Sequence, residues 1–265
     1  MADSQIRTTT VGDTRAAVPG ADREALAIGR IHTGRVRGTP LVPSWVLKVI
    51  MAITGTIFAL FVLVHMFGNL KVFTGAEHFN DYAHWLRTIL EPLLPWEGVL
   101  WILRVVLSTS LVAHVWAAVV LWLRARASRG PHRRKGWAMS SFAARSMPVT
   151  GVVLLGFIVF HLMDLTIGTS GAAPSTYRAA TMTQSYAYNN LVASFDRPLA
   201  SGFYMLALIV LFLHLVHGLQ AVVIDLGGTG KRLRAVGVAI GGVLALAVMV
   251  GNILIPVAVL SGVVS

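Results

Sequence analysis

Cysteine is absent from the 265 residues. That excludes disulfides, a thiol nucleophile, and any zinc or iron–sulfur site built from the chain's own thiolates. Charge is scarce too: Asp, Glu, Lys and Arg make up 12% of the chain, about half the ~25% usual in a soluble domain. No glycine-rich dinucleotide loop follows a strand-like run, so a whole nucleotide-dependent oxidoreductase is excluded. No secretory leader is expected in residues 1–43. Residues 1–43 are polar and Arg-bearing, with no apolar core and no small-residue cleavage site. They read as a cytoplasmic N-terminal arm.

What remains is apolar: 55% of the residues are hydrophobic. Five long runs stand out, at about 45–68, 99–123, 149–168, 202–226 and 235–259. Each is long enough to cross a bilayer, which takes about 20 apolar residues. Backbone groups have no water to bond in lipid, so the runs must be helices. The expected fold is an all-α integral membrane protein, a five-helix bundle over 44–265. Pro148 and Pro43 are expected just before helix starts. No internal repeat is evident.

The net charge of +11 raises the question of nucleic acid, and its distribution answers it. Seventeen of the 22 Lys and Arg lie in the N-terminal arm through Lys48, the loop 124–145 and the turn 231–234. The bias puts the N-terminus in the cytoplasm and the C-terminus outside. The basic loop is then a surface for anionic lipid or a partner subunit, with no nucleic-acid role, and the chain belongs in the cell membrane as a multi-pass protein.

Nine histidines are present. His32, His132, His78 and His84 lie outside the apolar runs and read as surface residues. His65, His114, His161, His214 and His217 lie inside them. Ionisable groups in a bilayer are costly and usually functional. At ~1.5 Å per residue, His65 and His161 lie within roughly 10 Å of the outer surface, and His114 and His217 roughly 22 Å down. The four form two levels, one histidine per helix, roughly 12–15 Å apart. A haem b takes two axial imidazoles from facing helices, so two levels would hold two haems. His214, one turn from His217, is the alternative ligand or its hydrogen-bonded neighbour. Gly55, Gly68, Gly156, Gly218, Ala113 and Ala117 leave room for a flat ring or simply pack helices.

Four stretches carry a resemblance. They are HMFGNLKVFTG…FNDYAHWLR around the first run, LVAHVWAAVVLWLRAR in the second, AARSMPVTGVVLLGFIVFHLMDL into the third and HLVHGLQ in the fourth. From about Trp45 to Arg234 the chain resembles the cytochrome b membrane subunit of succinate dehydrogenase and fumarate reductase, in its five-helix, single-anchor form. The resemblance implies an electron-transfer anchor of a succinate:quinone oxidoreductase. It implies a flavoprotein that oxidises succinate and an iron–sulfur subunit, both docked on the cytoplasmic face. It implies His65 and His161 as ligands of an outer haem b, and His114 and His217 as ligands of an inner one. Relatives hold two, one or no haems. Asp164 stands where relatives often carry a further histidine. No residue of this chain is expected to act catalytically on succinate.

Other readings stay open at this point. A histidine-ligated [2Fe–2S] cluster of the Rieske type needs two further ligands from elsewhere. A cytochrome b anchor of another quinone-linked dehydrogenase or hydrogenase would also show histidine pairs. A transporter would use Asp164 and Asp225 as ion sites. A quinone needs polar donors beside an apolar slot near an interface. The outer candidates are Asn69, Tyr82, His84, Glu91 and Trp96, and the inner ones Ser44, Trp45 and Arg124. Aromatic residues at these depths also serve as interface anchors.

Overall fold

The computed structural model describes residues 41–129, 139–228 and 230–265. Most of the N-terminal arm, with His32, lies outside the described residues, as does the centre of the basic loop with His132. Helices make up most of the rest, and no strand occurs among the described residues. Five of them are long and apolar enough to cross a membrane.

We number the helices α1 Ser44–Leu70, α2 Ala76–Thr88, α3 Gly98–Arg129, α4 Met139–His161, α5 Ala187–Phe195, α6 Pro198–Asp225 and α7 Lys231–Leu260. The spans are α1, α3, α4, α6 and α7. Pro43 precedes α1 directly, and Pro198 opens α6 at a position whose N–H has no helical acceptor anyway. α4 starts earlier than its apolar run suggests. It begins at Met139, so Pro148 lies inside the helix, not before it. Apolar patterning finds only the hydrophobic stretch, and the Ala- and Ser-bearing helical turns ahead of Pro148 carry no apolar run to mark them.

The spans turn their large side chains outward. Leu60 and Val64 are 59% and 65% exposed, and Val112, Val152 and Val243 are comparably bare. Such surfaces suit a lipid solvent. Where helices meet, small residues bring them close. α7 carries the sequence Gly237-Val-Ala-Ile-Gly241. A Cβ added at Gly237 would lie 2.7 Å from Val223 Cγ2, and one at Gly241 3.0 Å from Leu219 Cβ. Ala245, 1% exposed, continues this stripe of α7 toward Met66, Leu215 and Val248.

Polar ties fix the two ends of the bundle. At the basic end, Lys48 at the start of α1 pairs with Asp225 at the end of α6 at 2.9 Å. At the opposite, far end, the short helices α2 and α5 pack over the span termini. The Tyr188 N–H donates to Asn80 Oδ1 at 3.0 Å, and the Tyr188 hydroxyl to the Ser265 carbonyl at 3.2 Å. Phe79, Tyr188, Leu191, Phe195, Tyr204 and Ile255 form the core there.

α4 leaves its α-helical path right after His161. Leu162–Ile167 form a π-helical turn, which closes at Gly168 with φ +75°. Such wider turns are frequent at functional sites. Glycine is required at 168 twice over: the backbone is left-handed, and a Cβ would strike the Tyr177 ring. The turn carries Asp164 fully inside, at 0% exposure.

Candidate metal centre

His65 lies in the last two turns of α1, and His161 is the last residue of α4. Their ring centres lie 6.0 Å apart with the planes at 82°. Two imidazoles on opposite sides of one metal need about this spacing. Each contributes a bond of about 2 Å and roughly 1 Å from nitrogen to ring centre. Each ring also leans on a phenylalanine one turn earlier, Phe61 on His65 at 5.3 Å and Phe157 on His161 at 5.8 Å. His65 stays exposed and His161 half-buried, so neither ring is packed shut.

The second level rests on threonines. His114 on α3 meets Thr54 on α1, Nδ1 to Oγ1, at 2.9 Å. His214 on α6 meets Thr150 on α4 in the same way at 3.0 Å. A hydroxyl has one proton. Thr54 gives its proton to the Ile50 carbonyl at 2.7 Å, and Thr150 gives its own to the Met147 carbonyl at 3.0 Å. Both oxygens therefore accept, and both histidines donate through Nδ1–H. Nε2 of each is left bare, which is the form that binds a metal. The glycine after each threonine lies beside the ring: a Cβ at Gly55 would sit 3.6 Å from His114 Cε1, and one at Gly151 3.9 Å from His214 Cε1, both ordinary contact distances.

His217 follows another rule. Its Nδ1–H donates to the Leu213 carbonyl of its own helix at 2.8 Å. Both His114 and His217 lie within electrostatic reach of His214. Among the described residues no group of three or more His, Asp or Glu is arranged to share one metal ion.

The order of these parts is a repeat that patterning by eye misses. α1 reads Thr54-Gly55, Phe61, His65, and α4 reads Thr150-Gly151, Phe157, His161, with identical spacings. The sequence carried the signal, contrary to the expectation of no repeat. From each glycine to its histidine is a rise of roughly 15 Å along the helix.

Behind His161 lies a network that the sequence did not reveal. Asp164 accepts from Arg197 Nη2 at 2.6 Å, from Tyr204 Oη at 2.9 Å and from the Ser194 hydroxyl. Tyr204 Oη in turn lies 3.4 Å from His161 Nδ1. Arg197 also donates to the Ala172 carbonyl at 2.7 Å. Both carboxylates weighed for ion transport are thus held in ion pairs, Asp164 by Arg197 and Asp225 by Lys48.

The residues weighed for quinone do not gather at one place. Tyr82 lines an open cleft of about 530 Å³ with Lys71, Thr74, His78, Asp81 and Trp85. Burial pushes its hydroxyl above the usual tyrosine range, so it stays a donor. His84 instead sits against Trp96, ring centres 5.4 Å apart, and its buried Nδ1 has no protein partner. Asn69 bonds Asn252 of α7 at 3.0 Å. Glu91 is exposed beside Pro92. At the basic end Arg124 donates to the Ser44 hydroxyl at 3.0 Å, and Trp45 is exposed.

Residues 124–254 match the family model of the succinate dehydrogenase/fumarate reductase transmembrane subunit. No curated protein and no solved structure matches the chain.

Proposed function

We propose that the chain is a succinate dehydrogenase/fumarate reductase transmembrane subunit, the family whose model matches residues 124–254, and that it carries electrons through the membrane to a quinone. It works as one membrane subunit of that enzyme complex. The flavoprotein and iron–sulfur subunits dock on the basic end, in the cytoplasm, and the C-terminus lies outside. The charge bias supports this orientation.

His65 and His161 would hold one haem b, and His114 and His214 a second one about 15 Å deeper. The observation that carries this reading is the 6.0 Å between the facing rings of His65 and His161. Haem b supplies reversible one-electron transfer when bound. The protein's part is to fix the ligands. The Thr54 and Thr150 hydroxyls hold His114 and His214 with Nε2 bare, and the Tyr204 oxygen does the same for His161. The matching threonine–glycine cradles favour His214 over His217 as the partner of His114. A [2Fe–2S] cluster fits less well. It needs four ligands, whereas two imidazoles suffice for haem. The quinone is best sought at the aromatic cleft lined by Tyr82 and Trp85, or at the basic end near Ser44, Trp45 and Arg124.

The test is a set of His→Ala variants in the purified complex, assayed for succinate oxidation with a quinone and with a soluble acceptor. His114→Ala and His214→Ala should lose one haem component and quinone reduction, and keep the soluble assay. His217→Ala should keep both. Full quinone reduction and unchanged haem in His214→Ala would return the role to His217. A wild-type complex free of haem would refute the cofactor assignment.

A further inference from the structure

The far-end pair is not symmetric, and the asymmetry lies in what stands behind the rings. Tyr204 is buried at 5% exposure among Phe157, Phe160 and Phe195. Its hydroxyl has one proton, and the 2.9 Å bond to Asp164 Oδ2 takes it. Only lone pairs then face His161 Nδ1, so the ring donates and the Tyr204 oxygen accepts. Asp164 is itself fixed by Arg197 and Ser194, and the π-helical turn after His161 is what brings it there. The result is a directed chain from imidazole to phenol to carboxylate. Partners of this kind fix a ligand's tautomer and raise its basicity.

Resting on the metal-ligand reading above, we propose that Tyr204 and Asp164 are positioning residues that hold His161 as a bare-Nε2 ligand and set the potential of the metal it binds. A more basic imidazole favours the oxidised metal. Removing the acceptor therefore raises the midpoint potential of the far-end centre. Arg197 neutralises Asp164, so the effect runs through the hydrogen bonds and not through net charge.

The experiment uses the purified complex in detergent. Its haem bands are followed through a redox titration, and low-spin signals are recorded by electron paramagnetic resonance. The far-end component is the one lost in His65→Ala. In Tyr204→Phe that component should remain at full content, with its midpoint moved positive and its g values shifted. The other component should not move. Asp164→Asn/Arg197→Gln keeps the Tyr204 hydroxyl and removes the carboxylate without leaving an unpaired cation, and should shift the same component in the same direction by less. An unchanged potential and unchanged g values in Tyr204→Phe would overturn the proposal while leaving the haem assignment intact. If Tyr204→Phe loses the component altogether, the charge-balanced Asp164→Asn/Arg197→Gln variant decides: a positive shift supports the proposal and an unmoved potential overturns it. A wild type lacking any haem would overturn the ligand reading itself, a different result.

Discussion

Replacing Arg197 by Ala tests whether the far-end network supports the fold as well as the site. Asp164 is wholly buried, whereas the Arg197 side chain is 35% exposed. Truncation would strand a carboxylate inside the protein with two hydroxyl donors and no cation. Leaving one charge of a buried pair uncompensated costs about 3–5 kcal/mol. Water reaches the arginine side, so the lower part of that range applies, at ~3 kcal/mol. The same change also removes the bond to the Ala172 carbonyl, worth about another 1 kcal/mol. At about 2–4 °C per kcal/mol for a domain of this size, the melting point should fall by roughly 8–16 °C. Membrane proteins often unfold irreversibly, so wild type and variant are compared at one scan rate, with half-lives at one temperature. The double variant Asp164→Asn/Arg197→Gln removes both charges without orphaning either, and should recover at least half the loss. An Arg197→Ala protein within about 1–2 °C of wild type would behave like a surface substitution and refute the reasoning.

Three further outcomes are expected. Thr54→Val and Thr150→Val each leave one imidazole N–H without its acceptor, so each should cost about 1 kcal/mol and shift the spectrum of the same haem component. Different components responding to the two would separate His114 from His214. Gly241→Ala should push α7 off Leu219 at about 1–3 kcal/mol, while Gly242→Ala, which meets nothing within 4 Å, should stay within ~1 kcal/mol of wild type. Equal melting points for the two would refute the close contact. A reporter fused after Ser265 should behave as external, and a cytoplasmic signal there would invert the orientation.

The number of spans was legible in the sequence because lipid allows only one reading of a long uncharged run. That His65 and His161 come to one level was legible because a helix rises by a constant amount per residue, and their rings lie 6.0 Å apart. The start of α4 was not, since its first turns lie outside the apolar run and Ala- and Ser-bearing turns leave a weaker pattern. The network behind His161 was not either. Arg197 counted only as a loop charge, and nothing local says that it reaches a carboxylate 33 residues away. The π-helical turn that swings Asp164 inward likewise has no signature in apolar spacing. The roles of Thr54 and Thr150 were hidden because a lone threonine in a membrane helix usually bonds its own backbone. Both do so here, and the same hydroxyl then serves a histidine on a neighbouring helix.

The repeat bears on which histidine of α6 matters. α1 with α3 and α4 with α6 are two copies of one arrangement: a threonine–glycine step cradles a histidine on the next span, and a phenylalanine leans on a histidine further up. In the first copy the cradled residue is His114, and in the second it is His214. His217 has no such cradle, and its Nδ1–H is held by its own helix. The copies diverge at the deeper level, where Ala117 of α3 stands in the place of His217, and again at the far end. In the register that sets His65 opposite His161, Gly68 of α1 stands where α4 has Asp164, and Arg104 of α3 stands where α6 has Tyr204. Arg104 turns instead to Glu97, at 2.8 Å. The tyrosine–carboxylate support therefore reaches one ligand of the far-end pair through α6. The deeper pair keeps two matched threonines. A potential difference between the two centres follows from that asymmetry, and Tyr204→Phe should narrow or widen it without touching the threonine-held pair.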